Sequence, residues 1–141
     1  MTILDPKALH SITHEAETAK AREQLEREKK HEEEQRQLHE AFMSREIHPQ
    51  VNERVNTAIR HAAEQGKTEV QVIVFPATFC SDRGRRINNG EADWPGSLDG
   101  FARKAYEYYD KELRPLGYRI EARVLTFPDG MPGDVGLFLK W

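Results

Sequence analysis

A chain of 141 residues is long enough for one domain, but 32% of it is Asp, Glu, Lys or Arg against 38% apolar, and the apolar residues lie mostly after Ile47. A net charge of -3 excludes a surface given over entirely to nucleic acid or anionic lipid, both of which require clustered positive charge. No apolar run approaches the roughly twenty residues that span a bilayer, the start "MTILDPKALHS" lacks a secretory leader pattern, and one cysteine cannot close an internal disulfide, so a soluble, cytoplasmic protein is expected.

Residues 1–46 read as a charged helical arm and 47–141 as a compact domain. From about Glu15 to Ile47 there is no glycine or proline, and Glu, Lys, Arg, Gln and Ala dominate, so a long helix is expected. Glu23 with Arg27, Glu26 with Lys30 and Glu32 with Arg36 have the four-residue, Glu-first spacing that supports an exposed helix. A coiled-coil seam is interrupted, since Glu28, Glu32 and Gln35 separate Ala21 and Leu25 from Leu38 and Phe42. A solvated arm and a partner-docking or self-associating helix both fit this pattern. His10 and His14 have metal-ligand spacing beside Glu17, but no third strong ligand follows, so they read as solvated histidines.

In the next segment Val51, Val55, Ala58, Ile59 and Ala62 fall on one face of a helix bounded by Pro49 and Gly66. Val70 to Phe75 is β-branched and nearly continuous in apolarity, which predicts a buried strand ended by Pro76. Ser97 is the expected cap of a second helix carrying Leu98, Phe101, Ala102, Ala105, Tyr109 and Leu113, stopped by Arg114 to Gly117. Tyr106, Tyr108 and Tyr109 read as packing residues. Tyr118, Ile120, Ala122 and Val124 alternate with charged residues as a half-buried strand, and Val135, Leu137 and Leu139 continue the alternation after a turn-rich link. The pattern predicts an α+β, two-layer αβαββ domain with a small mixed three-stranded sheet. The first two strands should be parallel and the third antiparallel. The polar sheet face, with Arg119, Glu121 and Arg123, is left for the arm or a second subunit to cover.

Two strands that run the same way end at the same edge of the sheet, so the exits at Val74–Pro76 and Thr126–Pro128 should be neighbours, where open α/β sheets bind ligands. The first loop, Pro76 to Gly96, has no evident element of its own and is long for a compact domain. Cys80 and Arg86 match the C-x5-R spacing of the cysteine phosphatases, in which a thiolate attacks phosphorus while loop amides and a forked guanidinium hold the phosphoryl oxygens. The match departs at Phe79 and Ile87, where that family has histidine and Ser or Thr, and at Asp82, whose charge opposes a phosphate. Arg83, Arg85 and Arg86, with the amides of Asn88 and Asn89, suit an anionic or protein partner, unless Asp82, Glu91 and Asp93 pair with them internally. Trp94 is either an anchor on the domain or a partner hot spot. In the second loop Asp129 and Asp134 fall short of a calcium loop, and glycines and prolines give the segment a turn role.

No nucleotide loop, glycine fingerprint, paired-cysteine zinc spacing or serine elbow is present, so no cofactor or metal is expected. The reading is a non-enzymatic interaction or adaptor protein. It would bind a protein or anionic partner through residues 79–96, with Asp129 on the neighbouring loop, and through the arm. The alternatives are a small phosphoryl-transfer or hydrolytic enzyme using Cys80 and Arg86, and a nucleic-acid-binding module using Arg83, Arg85, Arg86 and the basic strand face.

Overall fold

In a computed structural model, which describes residues 2–141, the chain up to Glu40 and the segment Ala41–Trp141 form two compact units. The first is nearly all helix: α1 runs from Pro6 to Ser44, with its last residues belonging to the second unit. It starts well before Glu15 because the Asp5 carboxylate accepts the Ala8 N–H at 2.7 Å, and Pro6, with no N–H to leave unpaired, takes the first helical position. None of the helix is buried. Good helix formers and side-chain pairs along its length, such as Arg36 with Glu33 and Gln24 with Glu28, sustain it. No described helix is long and apolar enough to cross a membrane.

The second unit contains α2 (Val51–Glu64), β1 (Glu69–Pro76), α3 (Arg85–Asn88), α4 (Gly100–Tyr108), β2 (Arg119–Val124) and β3 (Asp134–Lys140). The α+β class and the helix, strand, helix, strand, strand order are those the pattern predicts, with α3 as one added turn. The expected face of α2 turns inward, Ala62 being buried and Val51, Val55, Ala58 and Ile59 half-buried. β1 and β2 run in the same direction, but β3 lies between them, so every strand pairing is antiparallel rather than mixed. Burial explains the order. Val135 and Leu137 are fully buried and Leu139 nearly so, whereas β1 exposes Gln71, Val72 and Val74. The strand expected to be buried therefore takes an edge, where a bulge between Gln71 and Ile73 breaks its register and Pro76 leaves no central ladder bond unmade.

α4 begins later than the Ser97 cap implies. Trp94–Ser97 forms a 3-10 turn in which the buried Ser97 hydroxyl donates to the Trp94 carbonyl at 2.7 Å, and Asp99 precedes the helix proper. Gly100 has φ 56°, and a Cβ there would lie 2.8 Å from the Met43 Cα, so only glycine fits this crossing. Beyond Tyr108 the helix widens to a π turn over Tyr109–Leu113 and ends at Gly117. The tyrosines pack as expected: Tyr109 is buried and donates to the Tyr118 carbonyl at 2.9 Å, and Tyr108 donates to Asn52 Oδ1 at 2.6 Å.

The core lies between the helices and one sheet face. Phe75, Ala77, Cys80, Ile87, Leu98, Ala102, Val135 and Leu137 form its larger part, with Phe42 packed against it, and Tyr109, Leu113 and Leu139 form a smaller one. On the opposite sheet face Arg123 crosses the Phe138 ring at 4.1 Å and pairs with Glu69 at 2.6 Å and Glu121 at 2.9 Å, while Lys140 also reaches Glu121 at 2.9 Å.

Candidate functional site

Because β1 and β2 run the same way, both Phe-Pro exits leave the same end of the sheet. The loops that follow them touch. The Ala77 N–H donates to the Gly133 carbonyl at 2.7 Å, and a Cβ on Gly84 would lie 3.0 Å from Ala77 Cβ and 3.7 Å from Pro132 Cβ. Gly84 also has φ 85°, so the position needs glycine on both counts. The shared rim expected from strand direction is present.

Most of the first loop is structural. Ala77–Phe79 and Trp94–Ser97 are 3-10 turns, α3 lies between them, and Ala77, Cys80, Ile87, Ser97 and Leu98 are buried. Asp82 organises the middle. One carboxylate oxygen accepts the Gly84 N–H and the other the Arg86 N–H, both at 3.0 Å, and the Arg86 guanidinium lies 3.6 Å from the second oxygen. Arg86 is also 3.7 Å from Asp93, and Arg85 pairs with Glu91 at 3.1 Å. Two of the three arginines are thus engaged within the loop, as the acidic neighbours in the sequence allowed.

Arg83, Asn88 and Asn89 remain exposed, and Arg83 makes no ion pair among the described residues. Trp94 is half-buried and meets the Tyr106 ring edge-on with centroids 5.8 Å apart. Asp129 is exposed in the second loop at φ 52°, and Arg83 in the first at φ 58°. These are the two non-glycine residues with left-handed backbone among those described, one in each of the adjoining loops, and each conformation costs on the order of 1 kcal/mol.

The C-x5-R resemblance ends at spacing. Cys80 is 4% exposed, and burial, with the charges of Asp82 and Asp99 adding to it, pushes its thiol up to about 11. A nucleophilic cysteine needs the opposite, a thiolate stabilised by cations. The loop amides that would hold phosphoryl oxygens are given to the Asp82 carboxylate, and the Arg86 guanidinium faces the same group. On the basic strand face Arg123 is held between Glu69 and Glu121, while Arg119 is exposed and makes no ion pair among the described residues.

The chain matches no protein-family model, no curated protein and no solved structure. Its chemistry therefore rests on its own geometry, which includes one feature that the motifs did not reveal. Between α2, α4 and the sheet lies a cavity of about 410 Å³, walled by residues such as Val55, Ile73, Phe101, Ala105 and Leu137, with Arg45, His48 and Arg54 also lining it. The lining comes from five elements and the segment before α2, so no local spacing marks it. The residual signal is that Arg45 and Arg54 lack an acidic residue four positions along in either direction on their own segments.

Proposed function

We propose that this is a non-enzymatic interaction protein in which the helix preceding Ala41 engages another protein chain. The observation that carries the reading is exposure: none of the helix is buried, and Leu9, Ile12, Leu25 and Leu38 are 47%, 52%, 52% and 58% exposed. Leu9, Ile12, Ala16 and Ala19 have the three-four-three spacing of a two-heptad apolar seam, ending where Glu23 and Glu26 take the next seam positions. So short a seam gives a lone helix little to bury against itself, while its alanines let a second helix approach closely. The exposed loop edge of Arg83, Asn88 and Asn89, with Asp129 on the adjoining loop, is the second contact in this reading. A cytoplasmic setting belongs to the same proposal, which the lone reduced Cys80 supports.

A photo-crosslinking residue placed at Ile12 in the full chain is expected to give one discrete protein adduct in cells, and the same residue at Lys29, off the seam, none. Adding Leu9→Glu should abolish the Ile12 adduct. Equal labelling from both positions, or an adduct insensitive to Leu9→Glu, contradicts docking through the seam.

A further inference from the structure

We infer that the cavity between α2, α4 and the sheet is a binding site for a small apolar molecule carrying one carboxylate. Its volume of about 410 Å³ lies within the range of about 300–1,000 Å³ that holds small ligands. Most of its wall is aliphatic or aromatic, and its depth reaches the core side chains Leu137 and Leu139, so the interior favours a tail without polar groups.

The charge at the wall selects the head group. Arg45, Arg54 and His48 line the cavity and no aspartate or glutamate does, in a chain whose net charge is -3. Neither arginine has a carboxylate partner among the described residues. Arg45 is held in place without one: its guanidinium lies 4.0 Å over the Phe101 ring, itself part of the wall, leaving its in-plane donors free. The His48 Nδ1 accepts the Gln50 N–H at 3.0 Å, so its Nε2 is the nitrogen left to face an anion. Tyr108 and Asn52 satisfy each other at 2.6 Å and need no ligand. Two unpaired forked donors beside an apolar hollow complement an apolar acid and oppose an apolar cation.

The site is independent of the helix seam and uses none of its residues. Calorimetric titration of the full chain with decanoate, below the concentration at which it forms micelles, should show saturable binding of one molecule per chain. Decanol should bind at least about tenfold more weakly, and Arg45→Glu or Arg54→Glu should each weaken decanoate about tenfold, the loss that accompanies one charge-assisted hydrogen bond. Both arginines are exposed, so the variants should keep the wild-type circular dichroism. Decyltrimethylammonium should not bind. No saturable decanoate binding, equal affinity for decanol, or full affinity in Arg54→Glu would each overturn the assignment. A concentration-dependent dimer that Arg54→Glu disperses, and that decanoate does not, would assign the face to a second copy instead.

Discussion

Asp82 fills in this loop the place that a bound anion fills in a phosphate-binding loop: two main-chain amides and a guanidinium converge on its carboxylate. Burial raises the neighbouring thiol and the charge of the same residue adds to it, so the side chain that occupies the anion position also contributes to suppressing the nucleophile. At neutral pH a thiol displaced to about 11 is almost entirely protonated, and at 4% exposure it is also shielded. Iodoacetamide at pH 7.5 should therefore leave native Cys80 unmodified over hours and label it fully in guanidinium chloride, read by intact mass; fast labelling of the native chain would contradict the assignment. Part of this was legible, because Asp82 two positions before Gly84 is the sequence of a side-chain-closed turn, and Asp82, Glu91 and Asp93 stood ready as partners. Which arginine each acid takes was not, since that depends on how α3 turns once Ile87 is buried.

At the scale of elements, period decided correctly wherever a segment had one partner layer. The α2 face from Val51 to Ala62 and the alternation of β2 and β3 were readable because burial on one side fixes the spacing. Strand order was not readable, since Val135, Leu137 and Leu139 alternate in the same way at an edge or in the centre. Nor was α3, which at one turn is too short to carry a period. The outer sheet face shows the cost of an open layer: its charges are joined in a half-buried network across all three strands. Hydrogen bonds from Arg123 and then Lys140 hold the Glu121 carboxyl down at about 2, so its contribution is present above about 4.5 and lost as pH falls towards 2. Because the Glu121 side chain is 42% exposed, screening reduces that contribution well below the full shift. Glu121→Gln should destabilise the chain by roughly 0.5–1 kcal/mol at pH 7 in urea. That gap should close between pH 4.5 and 2; a gap of constant size down to pH 2 would place its origin outside the ion pairs.

The whole molecule divides between a unit that buries its apolar residues and a helix that does not. The core between the helices and the sheet takes in Phe42, just past the division at Glu40, and the Phe42 ring packs on Phe75 and Phe79. Composition changes at about Ile47 whereas the compact units divide after Glu40; Phe42 and Met43 lie at the end of the charged helix in sequence and pack as part of the second unit. The long loop also supplies core, through Ala77, Cys80 and Ile87, which its length and composition did not announce. If the helix before Ala41 exists for recognition and not for stability, the folded unit should not depend on it. Thermal unfolding of the full chain and of a chain lacking residues 2–40 tests this most directly. Cooperative transitions within about 2 °C of each other are expected, whereas a fall of more than about 5 °C, equivalent to roughly 1 kcal/mol in a domain of this size, or failure to fold would show that the folded unit depends on the helix.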